Sequence, residues 1–365
     1  MISKAPPKND YSPTQVSPPG YTILDYLEER DMTQAELAAR MGRPLKTVNE
    51  IIAGKASITP ETAIQLERVL GAPARFWLVR QADYDESRAS QAAIQELESQ
   101  VEWVRAFPVA EMLKRGWLPK KKDKASVVHE LLKFFGIASP AEWHKRWHVS
   151  AVSFRESPAF KKSPEATSVW IRRGEQIANS ISCHKYNKTA FFEALKQVRS
   201  MTVLSPDQFE EDLISICAQA GVAVVFVHPL KGVSVTGVTK WLTPDKAFIQ
   251  LSLRGKFEDI FWFTFFHEAC HILKHGKRKV FLESNDQQSR EEKEADRFAG
   301  DFLISPDDWQ EFAKLARFSR TSVKKFAGEI GICPAIVVGR LQHEGLLPRN
   351  HLNNLRRRYS IGPST

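Results

Sequence analysis

The segment His267-Glu268-Ala269-Cys270-His271 has residue types and a spacing that suit a catalytic zinc ion. Two histidines four residues apart lie on one face of an α-helix, so both imidazoles can reach a single metal. Glu268 would then lie beside the open coordination position, where it can take a proton from bound water. A purely structural site would not need Glu268, because this residue makes no bond to the metal. The segment therefore favours catalysis.

A catalytic zinc needs a third protein ligand, and carboxylates on the next predicted helix, residues 289–303, can supply it. Glu292 is the expected ligand, and Asp296, one turn later, is expected to orient a ligand histidine by a hydrogen bond. This is the gluzincin pattern. A metzincin would have a third histidine six residues after His271, where this chain has Lys277. The alternative is a surface helix with two incidental histidines.

Other residues near this motif are candidates for supporting roles. His275 is expected at the helix end, facing the catalytic cleft without binding the metal. Arg340 and His343 are the candidates for the polar group that stabilises an oxyanion. Cys270 either packs in the core or makes the site sensitive to oxidation.

The elements that must hold these residues are predicted from hydrophobic periodicity. A helix over residues 209–220 precedes a buried strand at 222–227. Residues 248–253 alternate like a strand with one solvent-facing side, which could align a substrate by edge pairing. An apolar helix over 259–274 carries the histidines. These elements predict an α+β peptidase domain with a small sheet, residues 205–348.

A second constellation lies near the amino terminus. Thr33 and Glu36 have the spacing of a capping box, which opens a helix that Gly42 ends. Pro44 is expected in the first turn of the next helix, where Val48 and Ile51 face inward. Ala38 stands where two steeply crossing helices need a small residue. The spacing predicts a helix-turn-helix within residues 21–88, and a plain helical hairpin is the alternative.

The remaining chain is organised around these two domains. With 365 residues it is too long for one core, so a multidomain, mainly helical protein is expected. Residues 1–20 are rich in proline and predict a disordered tail. Residues 89–204 predict a helical connector, in which tryptophans pack in a core or, alternatively, stack on single-stranded nucleic acid. Residues 349–365 predict a basic tail, with Arg356-Arg357-Arg358 on a solvated face.

Composition restricts the protein class. The net charge of +9 is compatible with nucleic acid but does not establish it. The four cysteines are scattered, which indicates a reducing compartment. The sequence contains neither a secretory signal nor eighteen consecutive apolar residues. A soluble cytoplasmic protein without membrane contact is expected.

The amino-terminal pattern resembles the HigA-type repressors of the Xre/Cro group, in residues 33–38, 49–55, 57–63 and 70–78. In that family the second helix of the motif enters the major groove of double-stranded operator DNA. The resemblance implies base-edge contacts from Lys46, Thr47, Asn49 and Glu50, and phosphate contacts from Gln34 and Lys55. Pro44-Leu45 departs from the usual polar residues there, so the operator sequence is not predictable. A homodimer is expected.

The carboxy-terminal pattern resembles the ImmA/IrrE metallopeptidases, in residues 261–276, 292–299, 303–306 and 331–342. The resemblance implies one zinc ion per chain and cleavage of a protein substrate, such as a repressor or a toxin, under stress. The expected function is a DNA-binding regulator with a zinc endopeptidase domain. The alternative is a non-proteolytic, antitoxin-like autorepressor whose zinc domain binds a ligand or a partner protein.

Overall fold

The computed structural model of the chain describes residues 16–121, 123–149, 163–252, 257–276, 281–282, 290–315 and 317–359. It divides into two compact units, Met1–Gln100 and Val101–Thr365. The predicted multidomain, mainly helical architecture with a small carboxy-terminal sheet is confirmed. Among the described residues, every helix is too short or too polar to cross a membrane.

The first unit is entirely helical in its described part. Its helices are α1 (Pro19–Glu28), α2 (Gln34–Met41), α3 (Leu45–Ile52), α4 (Pro60–Leu70) and α5 (Ala74–Glu98). Their apolar faces meet in one core, which includes Ile23, Leu37, Val48, Leu66 and Trp77. Residues 1–15 of the predicted tail lie outside the described residues, and Pro19 and Gly20, also assigned to that tail, begin α1 and are buried.

The turn between α2 and α3 follows the predicted local chemistry with two differences. Thr33 Oγ1 accepts the backbone N–H of Glu36 at 3.1 Å. The return bond of a capping box is replaced, because the Glu36 carboxylate accepts a bond from Arg40 instead. Gly42 adopts φ +65°, which glycine tolerates without a side-chain clash. Pro44 is the N-cap of α3 rather than a residue of its first turn.

The second unit contains the sheet and the remaining helices. The described helices, in chain order, are α6 (Val101–Arg105), α7 (Val109–Lys114), α8 (Lys124–Phe135), α9 (Pro140–His144), α10 (Pro164–Ser180), α11 (Lys188–Ser200), α12 (Pro206–Gln219), α13 (Glu258–Lys274), α14 (Arg290–Leu303), α15 (Pro306–Ala313), α16 (Arg320–Glu329) and α17 (Pro334–His343). Short helical turns occupy Lys145–Val149, Met201–Val203 and Asn353–Leu355.

The described residues form a four-stranded sheet in the order β1-β3-β2-β4. The strands are β1 (Val222–Phe226), β2 (Gly237–Thr243), β3 (Lys246–Leu251) and β4 (Phe281–Leu282). β3 pairs in parallel with β1 and antiparallel with β2, and β4 pairs antiparallel with β2. Alternate residues of a strand face opposite sides. Thus Val222 and Val224 join the core that contains α13, whereas Ala223 and Val225 join a second core.

The predicted solvent-facing side of residues 248–253 is wrong in the described part of that segment. Gln250 is fully buried and Ser252 nearly so. The reason is α10, which covers this face of the sheet, and Gln250 Nε2 donates to the carbonyl of Trp170 at 2.9 Å. β3 also has neighbours on both sides. Edge pairing of a substrate with this strand is therefore excluded, since its backbone groups are already used.

The segment predicted as a connector contributes to the same unit as the sheet. Val169 and Trp170 of α10 pack with Phe248 of β3 in the second core. Trp143 and Trp147 are buried there as well, so these tryptophans pack in a core as favoured from the sequence.

The predicted solvated face of Arg356-Arg357-Arg358 is wrong for Arg356, whereas Arg357 and Arg358 are exposed. Arg356 donates to both carboxylate oxygens of Asp259, at 3.0 and 2.7 Å. Arg357 Nε donates to Glu258 at 2.9 Å. Both acids are buried at the start of α13. A buried carboxylate needs a counter-charge, and the end of the described chain supplies it.

Candidate functional site

Helix α13 carries the histidine motif, and its sequence explains why it is buried on nearly every side. Four aromatic side chains of the helix pack in the core that also contains Val222 and Val224 of β1: Phe261, Trp262, Phe265 and Phe266. The helix ends at Lys274, and the N–H of His275 bonds the carbonyl of His271 at 3.1 Å. His267 and His271 thus lie one turn apart on a rigid, buried helix.

The structure brings His267, His271 and Glu292 together in one buried cluster. The Nε2 atoms of the two histidines are 3.1 Å apart. Glu292, on α14, places its Oε2 3.0 Å from His267 Nε2 and its Oε1 3.6 Å from His271 Nε2. Two imidazole nitrogens and one carboxylate therefore converge from two helices that are adjacent in space.

This donor set fits a zinc ion. Tetrahedral zinc with nitrogen and oxygen ligands at about 2.0–2.1 Å separates neighbouring ligand atoms by roughly 3.3 Å. The observed separations of 3.0–3.6 Å bracket that value. Two imidazoles and one carboxylate are also the ligand types of catalytic zinc sites.

The other ring nitrogens of both histidines are engaged, which fixes how the rings point. His267 Nδ1 lies 2.9 Å from Asp296 Oδ1, so it donates there and directs the Nε2 lone pair at the cluster. His271 Nδ1 lies 2.7 Å from His275 Nδ1. Burial lowers the pKa of His271, with a smaller contribution from His267 and His275. A neutral His271 is the form that binds metal.

His275 occupies the position after the helix end, close to but outside the three-residue cluster. Its Nε2 lies 3.7 Å from Glu294 Oε2, and Glu294 accepts a bond from Lys274 at 3.0 Å. The geometry gives His275 the same relation to His271 that Asp296 has to His267. Its assignment among the catalytic residues stays a prediction.

Glu268 is fully buried on the turn between the two histidines. Its backbone carbonyl accepts the hydroxyl of Thr239 on β2 at 3.1 Å. Gly237, two residues earlier on the same strand, faces the Glu268 side chain. No strand was predicted at β2, since its run Gly237–Thr243 mixes glycine, threonine and lysine with few apolar residues.

A cleft of about 650 Å³ opens beside the cluster. Its wall includes His267, Glu292, Asp296, Arg340 and His343. His343 is exposed there.

Arg340 in this wall is already engaged. It donates to the carbonyls of Gly300 and Ile304 at 3.1 and 3.0 Å, and its guanidinium lies over the Trp309 ring. This contact holds the end of α14. An oxyanion role for Arg340 or His343 stays a prediction.

Cys270 faces away from solvent. It is fully buried, and burial raises the pKa of its thiol to about 12. Because the thiolate is the reactive form, this environment favours packing over redox sensitivity.

The residues expected to contact DNA lie on the surface of the first unit. Lys46, Asn49 and Lys55 are exposed, while Gln34, Thr47 and Glu50 are half-buried. Lys46 Nζ lies 3.9 Å from Glu50 Oε1, one turn along α3. Leu45, at the start of α3, is an exposed apolar residue. Their DNA contacts stay predictions.

Two family models match the chain. The helix-turn-helix model, HTH_3, matches residues 23–77. The IrrE N-terminal-like domain model, Peptidase_M78, matches residues 218–332. The first match covers α2 and α3, and the second covers the sheet, α13 and α14.

Two curated proteins are similar to this chain over a short stretch. The HTH-type transcriptional regulator YddM of Escherichia coli is 37% identical over 60 residues, which are 16% of this chain and 64% of that protein. Virulence-associated protein A of Dichelobacter nodosus is 36% identical over 66 residues, 18% of this chain and 65% of that protein. The chain thus spans slightly less than two thirds of these curated relatives.

Solved structures also match about a quarter of the chain. Antitoxin HigA of Pseudomonas aeruginosa, solved with the higBA promoter, is 29% identical and has a TM-score of 0.22; the match covers 23% of this chain and 94% of that one. A HigA-family addiction module antidote protein of Coxiella burnetii is 30% identical with a TM-score of 0.22, covering 23% and 94%. From its two family matches, the chain joins an Xre/Cro-type helix-turn-helix domain to an IrrE/ImmA-like domain of the Peptidase_M78 family.

Proposed function

We propose that this protein is a DNA-binding regulator whose second unit is a zinc-dependent endopeptidase that cleaves a repressor or another regulatory protein. The observation that carries the proposal is the buried cluster of His267, His271 and Glu292, with Glu268 on the same helical turn. Two imidazoles and one carboxylate that converge in this way are the ligand types of a catalytic zinc site.

In this mechanism His267, His271 and Glu292 would hold one zinc ion, which would supply the Lewis acidity that acidifies a water molecule and polarises a peptide carbonyl. Asp296 keeps His267 in the tautomer that presents Nε2. The Glu268 carboxylate accepts the proton from the attacking water and returns it to the departing amine. Burial of Glu268 excludes bulk water, so this proton stays at the site.

In the first unit, α3 is proposed to enter the major groove of operator DNA as part of a homodimer. Exposed Lys46 and Asn49 support this role, because their side chains are available on one face of the helix. Lys55, just after α3, suits a phosphate contact. Cleavage by the second unit would then change the transcription that the first unit controls.

Glu268→Gln tests the enzymatic role. The variant should keep zinc and operator binding, because Glu268 is neither a ligand nor part of the first unit. Cleavage should fall by roughly 10²- to 10⁴-fold, the contribution of a general base. Cleaved neighbours are sought by proteomics in inducing stress, and derepression is followed with a promoter reporter. Glu329→Gln, an exposed acid on α16, is the matched control.

Normal derepression by Glu268→Gln would mean that proteolysis is not the switch. The second unit would then act as a binding module, and the chain would be a non-proteolytic, antitoxin-like autorepressor. A zinc content near one per chain in that variant would leave the metal site in place as a scaffold. The two proposals therefore separate on a single substitution.

A further inference from the structure

We infer that Gly237 on β2 is a positioning residue for Glu268: the missing side chain at residue 237 leaves the space that the Glu268 carboxylate occupies. This inference rests on the proposed peptidase function. It concerns a strand to which neither the motif nor the family resemblance gave a role.

The contact distances carry the inference. A Cβ atom built on Gly237 would lie 2.6 Å from Glu268 Oε1 and 2.9 Å from Glu268 Cγ. It would also lie 2.8 Å from Thr264 Cγ2, one turn earlier on α13. Carbon atoms in contact need about 3.5–4.0 Å. Any side chain at residue 237 would therefore have to displace the Glu268 side chain.

The backbone of Gly237 does not itself require glycine. Gly237 is absent from the glycines with positive φ, and it pairs with Leu251 in the sheet. Glycine weakens a strand interior, and there it often marks a close approach of the backbone to another group. Here the group that approaches is the side chain proposed to move the proton.

β2 contacts the catalytic turn a second time. Residues 237 and 239 share one face of the strand, because side chains alternate. Thr239 Oγ1 donates to the backbone carbonyl of Glu268 at 3.1 Å. One strand thus fixes the backbone of Glu268 through Thr239 and the side chain of Glu268 through Gly237.

The atoms near Gly237 indicate that a side chain there would affect the position of Glu268 more than the stability of the fold. The three atoms nearest a built Cβ belong to Glu268 and Thr264, and none belongs to a proposed zinc ligand. The Glu268 carboxylate is the far end of a flexible side chain, so an added Cβ shifts it more easily than it would shift backbone atoms. Gly237→Ala should therefore keep the fold and the zinc while it misplaces the carboxylate.

Acetohydroxamate binding tests this without knowledge of the protein substrate. A hydroxamate chelates zinc through its two oxygens, and its hydroxyl proton passes to a neighbouring carboxylate. We compare four zinc-loaded full-length proteins by calorimetric titration: wild type, Gly237→Ala, Glu268→Gln and the double variant. Gly328→Ala is the control, because a Cβ there meets nothing within 4 Å.

Gly237→Ala and Glu268→Gln should each weaken acetohydroxamate binding by about ten- to a hundred-fold, the size of a lost charge-assisted hydrogen bond. The double variant should be no weaker than Glu268→Gln alone, because both changes remove the same interaction. Zinc content should remain near one per chain in all of them. Should Gly237→Ala fold poorly, Gly237→Ala/Thr264→Ser removes the second clash and takes its place.

Wild-type affinity in Gly237→Ala, effects that multiply in the double variant, or zinc loss in Gly237→Ala would each overturn the positioning role. In those cases Glu268→Gln still reports separately on the proposed function. A wild-type protein that binds no zinc would overturn the proposed function, and the positioning role with it.

Discussion

The two candidate sites of this protein are built in opposite ways. The residues expected to contact DNA lie on the surface of a small helical unit, where Lys46 and Asn49 are exposed. The residues expected to hold zinc are buried, with His267 and His271 bonded to Asp296 and His275. An exposed side chain needs no partner inside the protein, whereas a buried polar one does.

Substitutions in the exposed site and in the buried site should therefore have different effects. A substitution on the exposed face of α3 is expected to remove a contact with DNA and little else. A substitution in the buried cluster leaves neighbouring polar atoms unsatisfied, so binding, chemistry and stability change together.

Zinc should stabilise one unit and leave the other unchanged. With free zinc at 1,000 times its dissociation constant, a ligand that binds only the folded form adds about 4 kcal/mol. We expect calorimetry to show two unfolding transitions, of which a chelator lowers only that of the second unit. His271→Ala should lose close to one equivalent of zinc and become insensitive to the chelator. A shift of both transitions would contradict the assignment of the zinc site to the second unit alone.

Loss of a buried ion pair should lower the free energy of unfolding more than loss of an exposed one. Arg356→Gln leaves Asp259 buried without its counter-charge, and we expect it to lower the free energy of unfolding of the second unit by about 3 kcal/mol. The side chains of this pair are 11% and 8% exposed. Arg40→Gln breaks a pair that is 55% and 43% exposed, so its cost should stay below about 1 kcal/mol. Equal losses in urea unfolding would contradict this contrast.

Changes on α3 should affect DNA affinity without affecting stability. Lys46→Ala with Asn49→Ala should weaken binding to the protein's own promoter by at least about ten-fold, because a specific base contact contributes about 1–3 kcal/mol. The free energy of unfolding of the first unit should change by no more than about 0.5 kcal/mol, since both residues are exposed. Gel-shift titration at fixed salt gives the affinity. Unchanged promoter binding would refute the role of α3.

Lys55→Ala separates phosphate contacts from base contacts on the same unit. It should weaken binding to promoter and unrelated DNA alike. It should also reduce the slope of log affinity against log salt by about one, the release of one counterion. A loss confined to the promoter would instead place Lys55 at a base edge.

Much of the helix-turn-helix could be predicted because its signals are local. Thr33, Gly42 and the apolar positions of α2 and α3 act within a few residues of one another, and the structure keeps them. The errors were small and local too: Glu36 bonds Arg40 because that arginine is one turn away, and Pro44 caps the helix instead of entering it.

The second unit was less predictable because its contacts join distant segments. Gln250 is buried by a helix that lies about eighty residues earlier, and Asp259 is paired by an arginine 97 residues later. Gly237 meets Glu268 across a gap of thirty-one residues. Periodicity in a short window contains no information about such partners.

The sequence by itself determined the spacing of His267, Glu268 and His271, since helical geometry converts an interval of four residues into a shared face. It also determined the small residues and caps of the helix-turn-helix. Only the tertiary structure decided that both faces of β3 are covered. It also decided that Arg357 and Arg356 pair with Glu258 and Asp259. Only packing, too, could bring Gly237 against Glu268, because burial depends on which segments meet and not on the residues of either segment alone.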